Sequence, residues 1–272
     1  MTTIAVLGTG RMGAAIARRL LQTGHDVTVW NRTASRTAQL ADQGARAAES
    51  PAAAAKDADI VITMLTDANA VETVLFGPDG AATTVHRGAG LVDMSTIGPE
   101  AVGDLARRLP DGVDLVDAPV GGSVAAVAAG RLLVLAGGDD HAVDRVAPVL
   151  EVLGTVRRCG GPGAGAAVKL VLNTALVTGI AALADAYRVA RAVGVDRDTA
   201  TEVLASSALG EALARVNAGG AFTIALAGKD LDLALRALGS ASAPMARAAG
   251  LALRAVPDQS SELITIVSRD LS

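Results

Sequence analysis

Three lysines are the residues of this chain with the clearest potential for proton transfer. They are Lys56, Lys169 and Lys229, and arginine supplies every other strongly basic side chain. Arginine stays protonated in proteins, whereas the pKa of a lysine shifts readily, so that its ammonium can pass on a proton. Lys56 follows four alanines and precedes an aspartate, which is typical of a solvated helix end. Lys169 and Lys229 are therefore the candidates for chemistry.

Lys169 belongs to a helical pattern. Gly165, Lys169 and Asn173 are spaced i, i+4 and i+8, so a helix places all three on one face. The residues between them are apolar, which favours a buried lysine stem; a salt-bridged lysine on a solvated face is the alternative. We expect Gly165 to leave room for a substrate or nicotinamide, Lys169 to carry a proton, and Asn173 to present an amide beside it.

A glycine pattern near the N-terminus is typical of a dinucleotide-binding site. Gly8, Gly10 and Gly13 form G-x-G-x-x-G directly after the apolar residues 4–7. A helical pattern follows, and then a second apolar segment at 27–30. In this context the first glycine permits a tight turn, the second lets the backbone approach a pyrophosphate, and the third lets the helix pack on the strand. The helix N-terminus adds N–H groups for the phosphate.

The end of the second apolar segment favours NADP(H) over NAD(H). A site that prefers NAD carries an acid there for the ribose hydroxyls, but this chain has Asn31, followed by Arg32 and Thr33. Asparagine removes a carboxylate that would repel the 2′-phosphate, and Arg32 is able to bind the phosphate with a forked, charge-assisted pair of hydrogen bonds. The alternative is a polar turn with a surface arginine.

The rest of the chain divides into two parts. Apolar segments at 59–65, 90–94, 114–116 and 132–135 alternate with helical stretches, which favours a parallel sheet covered on both faces. After Gly161 the pattern becomes helical, with breaks at Gly219-Gly220, Gly239 and Pro244. We predict an α/β fold: a Rossmann doubly wound sheet at 1–160 that binds NADP, a long inter-domain helix at about 164–193, and an all-helical domain at 161–272 for substrate and dimerisation.

Composition and charge exclude several other classes of protein. The net charge is −4 and no Lys/Arg-rich run occurs, so we expect no nucleic-acid partner. The uncharged stretch 170–184 is shorter than the roughly 18–20 residues of a membrane span. No basic segment precedes an apolar block at the N-terminus. We expect a soluble, cytoplasmic protein without a membrane partner. A single cysteine, Cys159, expected to be buried, and three scattered histidines predict no disulfide and no metal site.

Four motifs together resemble a known family. They are Gly8-x-Gly10-x-Met12-Gly13, Asp117-Ala118-Pro119-Val120-Gly121-Gly122-Ser123, Gly165-x-x-x-Lys169-x-x-x-Asn173 and Lys229-Asp230-Leu231. The chain resembles the β-hydroxyacid dehydrogenases, the family of 3-hydroxyisobutyrate dehydrogenase, tartronate semialdehyde reductase and glyoxylate/succinic semialdehyde reductase. The second motif is similar to the family's substrate-binding D-A-P-V-S-G-G, with Gly121 in place of the serine.

The resemblance, together with the glycine pattern, implies a role for each site residue. Lys169 and Asn173 are the expected catalytic residues. The residues expected to bind the cofactor are Gly8, Thr9, Gly10, Arg11, Met12, Gly13, Asn31, Arg32, Thr33, Met64, Leu65, Thr96 and Lys229. Those expected to bind the substrate are Ser95, Val120, Gly121, Gly122, Ser123, Lys169, Asn173, Lys229 and Asp230. Because Gly121 lacks a hydroxyl, backbone N–H groups or Ser123 are expected to hold a substrate carboxylate.

The leading hypothesis is an NADPH-dependent oxidoreductase acting on a small 3-hydroxy acid or semialdehyde. An imine reductase of the sister group is the first alternative, but that group usually has Asp or Tyr in place of the catalytic lysine. A non-catalytic dinucleotide-binding module on the same fold is the second, and the lysines at 169 and 229 disfavour it. Oxidative decarboxylation, as in 6-phosphogluconate dehydrogenases, is disfavoured because Leu172, and not histidine, precedes Asn173.

Self-association is expected from the long helical pattern. The stretch 175–184 is apolar nearly all round, and such a helix needs burial on every side. A helical domain rich in alanine offers little bulk to cover it. We therefore predict a homodimer or homotetramer that associates through the helical domain.

Overall fold

The chain forms two compact units, Met1–Lys169 and Leu170–Ser272, in a computed structural model that describes residues 2–217 and 222–268. The boundary falls inside one long helix. The boundary predicted at 160 falls earlier, at the last residue of the final strand. The predicted break at Gly219-Gly220 lies outside the described residues. The two units are described in turn.

Nine strands form the sheet of the first unit within the described residues. They are β1 (Thr3–Leu7), β2 (Asp26–Trp30), β3 (Arg46–Ala47), β4 (Ile60–Thr63), β5 (Gly90–Asp93), β6 (Asp114–Asp117), β7 (Val120–Gly121), β8 (Leu132–Gly137) and β9 (Gly154–Gly160). Six of them lie in the apolar segments named above. The sequence did not predict β3, β7 or β9, because two are only two residues long and the third, G-T-V-R-R-C-G, has two adjacent arginines and no regular alternation.

The sheet order is β3-β2-β1-β4-β5-β6-β8-β7, with β9 also paired to β8. Strands β1 to β6 all run parallel to one another, as predicted. The expectation of a wholly parallel sheet is wrong at one end, where β8 runs antiparallel to β6 and β7. The connection from β6 to β8, residues 118–131, contains β7 and one short helix and returns the chain beside β6. An antiparallel neighbour does not require the crossover that joins parallel strands.

Helices cover both faces of this sheet. They are α1 (Arg11–Gln22), α2 (Ala38–Ala41), α3 (Pro51–Ala55), α4 (Ala68–Phe76), α5 (Pro99–Arg108), α6 (Val124–Ala128) and α7 (Asp140–Glu151). Side chains alternate along each strand, so Ile4 and Val6 of β1 pack in one core with helices α1 and α7. Ala5 and Leu7 pack in a second core with helices α3, α4 and α5. The doubly wound arrangement thus follows from strands that are apolar on both faces.

The second unit is helical in its described residues. Its helices are α8 (Ala164–Ala192), which begins in the first unit, α9 (Arg197–Ala205), α10 (Gly210–Asn217), α11 (Ile224–Ala237), α12 (Pro244–Arg254) and α13 (Thr265–Ser268). The predicted bounds of the long helix agree with α8. Its core includes Val177, Ile180 and Tyr187 of α8, packed with residues of α11 and α12 such as Leu231 and Leu253. The first three follow helical spacing, so one stripe of α8 faces this core.

Helix α8 is long and apolar enough to cross a membrane, judged by length and composition alone. Over its most apolar 18 residues the mean hydropathy is 1.8, and 33% of that window is buried in the protein. The sequence analysis considered only the uncharged stretch 170–184. It therefore did not consider a longer apolar helix that contains a charged residue. The core helix of a soluble protein has the same length and composition, and α8 supplies core residues to the second unit.

Candidate active site

Four neighbouring strands of the first unit end side by side. The register pairs Leu7 of β1 with Thr63 of β4, Thr63 with Asp93 of β5, and Asp93 with Asp117 of β6. The residues that follow these strand ends therefore share one edge of the sheet. The order of the strands reverses between β1 and β4, and open α/β sheets bind ligands beyond the carboxyl ends at such a switch point. This edge is the candidate active site.

The glycine pattern forms a tight turn between β1 and α1. Gly8 has a φ of +101°, and a Cβ there would lie 2.5 Å from the carbonyl oxygen of Met64. A Cβ at Gly13 would lie 1.9 Å from the carbonyl oxygen of Gly8. By contrast, a Cβ at Gly10 would meet no described atom within 4 Å. Packing therefore requires Gly8 and Gly13, whereas Gly10 leaves open space beside the first turn of α1 that suits a pyrophosphate.

Asn31 links this turn to the loop after β2. Its side-chain oxygen accepts a hydrogen bond from the backbone N–H of Thr9 at 3.1 Å, and its Nδ2 donates to the carbonyl oxygen of Thr33 at 3.1 Å. Thr9 is buried, and its hydroxyl donates to the carbonyl oxygen of Arg36 at 3.3 Å. Asn31 thus positions the loop that carries Arg32, a role that its place in the sequence does not reveal.

Arg32 and Arg36 are exposed on that loop. In the part of the chain that the structure describes, no ion pair engages either guanidinium. Both are available to an anionic ligand, for which a forked guanidinium is well suited. Of the other predicted cofactor contacts, Met64, Leu65 and Thr96 are half-buried at the ends of β4 and β5.

A buried carboxylate joins the ends of β4 and β5. Asp93 accepts hydrogen bonds from the hydroxyl of Thr63 at 2.6 Å and from the backbone N–H of Ser95 at 3.3 Å. The hydroxyl of Ser95 accepts in turn from the backbone N–H of Leu65 at 3.0 Å. Ser95 is only 2% exposed. Its hydroxyl is therefore engaged within the protein, and the half-buried Thr96 next to it is the more accessible of the two.

A second buried carboxylate, at the end of β6, holds the start of α8. Asp117 accepts hydrogen bonds from the backbone N–H groups of Gly163 at 2.7 Å and of Ala166 at 2.6 Å. Burial is the main reason that the pKa of Asp117 is raised, to about 6; those two hydrogen bonds lower it, and the charge of Asp93 raises it. The helix dipole and the unpaired N–H groups of the first turn favour a negative charge at this position.

Gly165 packs against the same strands, which corrects the role expected from the sequence. A Cβ at Gly165 would lie 2.1 Å from the carbonyl oxygen of Leu135 and 2.9 Å from Oδ2 of Asp117. The missing side chain therefore does not leave room for a substrate or nicotinamide. It lets the first turn of α8 approach β6 and β8, and a spacing rule along one helix contains no information about that approach.

Lys169 follows one turn after this glycine and is 8% exposed. Its ammonium donates a hydrogen bond to the carbonyl oxygen of Val120 at 2.7 Å. Val120 lies in β7, three residues after Asp117, so the D-A-P-V segment contacts α8 at its first turn and again at Lys169. The lysine stem is buried, as the apolar neighbours predicted.

Asn173, one further turn along α8, belongs to the second unit and is 3% exposed. Its Nδ2 donates a hydrogen bond to Oδ2 of Asp230. The other oxygen of Asp230 forms an ion pair with the ammonium of Lys229 at 2.8 Å. Asp230 is itself 3% exposed. This carboxylate therefore orients both the amide and the second lysine.

The glycine-rich end of the second motif lies between β7 and α6. Gly122 has a φ of +135°, a conformation that strongly favours glycine. The hydroxyl of Ser123 accepts a hydrogen bond from the backbone N–H of Ala126 at 3.3 Å and caps α6. A hydroxyl that accepts is still able to donate. Gly121, where the family has serine, pairs with Leu133 of β8.

Asp93 and Asp117 are the two polar site residues whose roles the sequence analysis missed. Both end a strand with the same letters, in G-L-V-D at 90–93 and D-L-V-D at 114–117. A carboxylate that ends a buried strand is rarely left without hydrogen bonds, so the repeated L-V-D was the available signal. Apart from the N–H of Ser95, the partners of the two carboxylates come from positions 30 to 49 residues away and were not predictable from the sequence.

The remaining polar candidates lie outside these contacts. Cys159 is half-buried and not buried as expected, because it lies on β9, where every residue is at least partly exposed. The hydroxyl groups of Tyr187 and Thr201 form a hydrogen bond of 2.8 Å within the second unit. Among the described residues, no group of three His, Cys, Asp or Glu side chains is arranged to hold a metal ion.

Comparison with known proteins identifies the family. Residues 3–161 match the family profile described as the NAD binding domain of 6-phosphogluconate dehydrogenase, and residues 163–256 match the profile described as NAD-binding of NADP-dependent 3-hydroxyisobutyrate dehydrogenase. The chain is 37% identical over 256 residues to 3-sulfolactaldehyde reductase of Escherichia coli (strain K12), covering 90% of this chain and 86% of the relative. The chain belongs to the β-hydroxyacid dehydrogenase family. It is therefore an NAD(P)-dependent oxidoreductase.

Solved structures of other proteins have the same fold. Mycobacterium tuberculosis 3-hydroxyisobutyrate dehydrogenase with L-serine matches with a TM-score of 0.87 at 27% identity, over 100% of both chains. Psf3 in complex with NADP+ and 2-OPP matches with a TM-score of 0.87 at 30% identity, over 99% of this chain and 100% of that one. The predicted fold class, a Rossmann sheet followed by a long helix and a helical unit, is confirmed. An imine reductase from Pseudomonas sp. shares the fold alone, with a TM-score of 0.70 at 24% identity.

Proposed function

We propose that the protein is an NADPH-dependent oxidoreductase that interconverts a small 3-hydroxy acid and the corresponding semialdehyde, each bearing a carboxylate. The observation that carries the proposal is Lys169, a buried lysine held at the sheet edge one helical turn before Asn173. Among the relatives, 3-sulfolactaldehyde reductase is named for an anionic aldehyde and 3-hydroxyisobutyrate dehydrogenase for a hydroxy acid. A lysine at this position disfavours the imine reductase alternative.

The turn after β1 fits the pyrophosphate of a nicotinamide dinucleotide. Gly10 is the N-cap of α1 and has no side chain to accept from the first N–H groups, which suits an anionic group in the open space beside it. When bound, the nicotinamide supplies or accepts a hydride. The residues proposed to hold this cofactor are Gly8, Thr9, Gly10, Arg11, Met12, Gly13, Asn31, Arg32, Thr33, Met64, Leu65, Thr96 and Lys229.

Lys169 is the proton carrier in this proposal. Reduction of a carbonyl builds negative charge on its oxygen, and a positioned ammonium stabilises this charge and then donates the proton. In the oxidation direction the neutral amine accepts the hydroxyl proton. The carbonyl of Val120 fixes the direction of the side chain without neutralising its charge. Asn173 orients the substrate oxygen, and Asp230 holds the Asn173 amide for this task.

The substrate carboxylate is proposed to bind at the start of α6. The backbone N–H of Gly122 and the hydroxyl of Ser123 are the proposed donors there, since a hydroxyl that accepts is still able to donate. The N–H of Gly121 is engaged in the antiparallel ladder with Leu133 of β8. Ser95, Val120, Lys229 and Asp230 complete the proposed substrate residues. The ammonium of Lys229 supplies positive charge. Ser95, Val120 and Asp230 interact with Leu65, Lys169 and Lys229, respectively.

The proposed preference for NADPH depends on Arg32. A forked, charge-assisted contact with a phosphate contributes about 1.5–3 kcal/mol, which corresponds to roughly 10- to 150-fold in affinity. Arg32→Ala should raise the KM for NADPH by that factor and leave the KM for NADH nearly unchanged. The matched control is Arg46→Ala, which removes an exposed arginine that pairs with Asp26 instead. Equal losses for both cofactors with Arg32→Ala would show that Arg32 only shapes the loop.

A substrate panel tests the proposed activity. The purified protein is mixed with NADPH and, separately, with small semialdehydes that carry a carboxylate, their neutral analogues and cyclic imines, and the absorbance of NADPH is followed. We expect turnover with the carboxylate-bearing semialdehydes and little with the neutral analogues. Turnover of imines alone would establish the sister-group activity. Cofactor binding without turnover of any substrate would favour a non-catalytic dinucleotide-binding module.

We also propose that the protein self-associates, as a homodimer or homotetramer, through the second unit. Exposed valines follow one face of α8: Val171 is 71% exposed and Val189 is 61% exposed. Large apolar side chains repeated along one exposed helix face are typical of an interface. Light scattering at micromolar concentration should give at least twice the chain mass, and Val171→Glu with Val189→Glu should reduce it. A wild-type monomer would contradict this proposal.

The proposed location is the cytoplasm, without a membrane or nucleic-acid partner. Helix α8 places Val177, Ile180 and Leu183 in the core of the second unit, so that this stripe is not available to lipid. The net charge of −4 disfavours a polyanionic partner. Fractionation of cells that express the chain should recover it in the soluble fraction.

A further inference from the structure

The segment from Asp117 to Val120 is attached to α8 at two points, both within the first unit. At the first point, the carboxylate of Asp117 accepts from Gly163 N at 2.7 Å and from Ala166 N at 2.6 Å. At the second, the carbonyl of Val120 accepts from the ammonium of Lys169 at 2.7 Å. Asp117 and Val120 are three residues apart in the segment, and their partners Ala166 and Lys169 are three residues apart in α8. Movement of the helix start must therefore change the position of the lysine.

We propose that Asp117 is a positioning residue for Lys169: its ionised carboxylate holds the first turn of α8 against β6 and so sets where the lysine ammonium lies. The effect on catalysis rests on the function proposed above, whereas the effect on the position of Lys169 does not. Two buried oxygens that each accept an N–H from the same helical turn fix both its distance and its rotation, and charge-assisted hydrogen bonds of this kind are short and strong.

The surrounding residues make this attachment tight. A Cβ at Gly137 would lie 2.6 Å from Oδ1 of Asp117 and 2.6 Å from the backbone nitrogen of Gly165. A Cβ at Gly165 would lie 2.9 Å from Oδ2 of Asp117. The two glycines thus allow strand, carboxylate and helix to meet at van der Waals distance. Because the contact is close-packed, a displacement of the helix start is transmitted along the helix to Lys169.

The ionisation of Asp117 controls this attachment. The titratable groups that face it are Asp93 on the neighbouring strand β5 and Cys159 on β9. Burial and Asp93 raise the pKa of Asp117, to about 6, and burial and Asp117 raise the pKa of the Cys159 thiol. Above pH 6 Asp117 accepts with both oxygens. Below it, the protonated oxygen becomes a donor and faces an N–H group, so that one of the two hydrogen bonds is lost.

Lysine side-chain NMR tests the position of Lys169 directly, because the chain has only three lysines. Protein labelled with ¹³C,¹⁵N-lysine gives three ammonium spin systems, assigned with Lys56→Arg and Lys229→Arg. In the wild type we expect the Lys169 signal to shift with a midpoint near pH 6. In Asp117→Asn the signal should be displaced at pH 8 and lack that step. A wild-type Lys169 signal that does not change between pH 4 and pH 8 overturns the proposal, even if the variant fails to fold.

Kinetics supply the second readout. Small displacements of a catalytic group cost up to about 100-fold in rate, so Asp117→Asn should lower kcat at pH 8 by about 10- to 100-fold and change the KM for NADPH by less than about threefold. The decrease of kcat below pH 6 should disappear in this variant. In Asp93→Asn it should move to lower pH, because the charge that raises the pKa of Asp117 is removed.

A matched control separates positioning from general helix capping. Asp196 caps α9 in the second unit, where its carboxylate accepts from the backbone N–H of Thr199 at 2.9 Å. Asp196→Asn should leave kcat and the Lys169 signal unchanged. Equal effects of the two substitutions, or a normal Lys169 signal in folded Asp117→Asn, would overturn the proposal. If Lys169→Ala retained activity, the proposed function would fail while the NMR result still decided whether Asp117 positions the lysine.

Discussion

The two lysines that are expected to take part in the reaction are held by different kinds of groups. In the first unit, Lys169 is 8% exposed and donates to the neutral carbonyl of Val120 at 2.7 Å. In the second, the Lys229 side chain is 23% exposed and forms an ion pair with the buried carboxylate of Asp230 at 2.8 Å. Lys169 is thus fixed by the backbone of a strand, whereas Lys229 is fixed by a carboxylate that also orients Asn173. We infer that Lys169 carries the proton and that Lys229 serves in binding.

The glycines of the same two regions differ in a similar way. A Cβ at Gly165, in the first turn of α8, would lie 2.1 Å from the carbonyl oxygen of Leu135. A Cβ at Gly228, directly before Lys229 in α11, would meet no described atom within 4 Å apart from the local helix backbone. The helix that carries Lys169 is thus packed tightly against a strand, whereas the turn that carries Lys229 presents an open surface.

The largest expected effect is the loss of activity when Lys169 is replaced. Lys169→Ala should reduce kcat by about 10²- to 10⁴-fold, the usual contribution of general acid–base catalysis. Lys169→Arg is the sharper variant, because it keeps the charge and cannot release a proton. Lys229→Arg is its matched control, since an arginine retains the ion pair with Asp230, and it should keep kcat within about tenfold. Steady-state kinetics with NADPH measure all three.

A kcat of Lys169→Arg within a few-fold of the wild-type kcat would contradict the difference in role between the two lysines. Lys169 would then act as an electrostatic clamp, and the acid would be another group. A loss with Lys229→Arg as large as that with Lys169→Arg would assign proton transfer to both.

The next largest effect concerns the free energy of unfolding. Gly165→Ala forces a methyl group against a backbone carbonyl, and overpacking of this severity costs about 3 kcal/mol or more. Gly228→Ala places the same methyl group in open space within a helix, where alanine is more stable than glycine by about 0.5–1 kcal/mol. Urea denaturation of both variants measures the difference. Equal free energies of unfolding for the two variants would contradict the packing assigned to Gly165.

The smallest expected effect is a pH-dependent part of the stability that belongs to Asp117. Its pKa in the folded protein, about 6, lies above the ordinary value of 3.8, so the folded state binds the extra proton between those values. The contribution is fully present below about pH 4 and is lost as the pH rises through 6. Between pH 4 and pH 7 the free energy of unfolding should fall by up to about 3 kcal/mol relative to Asp117→Asn.

Urea denaturation of wild type and Asp117→Asn at several pH values tests this dependence. Carboxylates with a lowered pKa, such as Asp59 and Asp196, change the stability in the opposite direction, but they are present in both proteins and cancel in the difference. Two curves that run parallel from pH 4 to pH 7 would show that Asp117 does not titrate in this range.

Local patterns were sufficient for much of the fold. The apolar segments predicted six of the nine strands described, and the unbroken alanine-rich pattern predicted α8 nearly to the residue. Strands β3, β7 and β9 were missed because their length or polarity gives no periodic signal. The antiparallel direction of β8 was missed because strand direction depends on the path of the connection. Residue periodicity does not show that path.

The sequence by itself determined which chemical groups this protein has and the order in which they occur: a glycine turn, an arginine loop, a lysine and an asparagine on one helix face. Only the tertiary structure decided their partners. Asn31 accepts a hydrogen bond from Thr9, and Asp230 contacts both Asn173 and Lys229. Asp117 accepts hydrogen bonds at the start of the helix that carries Lys169. Helical and strand spacing fix neighbours within a few residues, whereas these hydrogen bonds join positions 22 to 57 residues apart. Such contacts form only when strands and helices have already packed together.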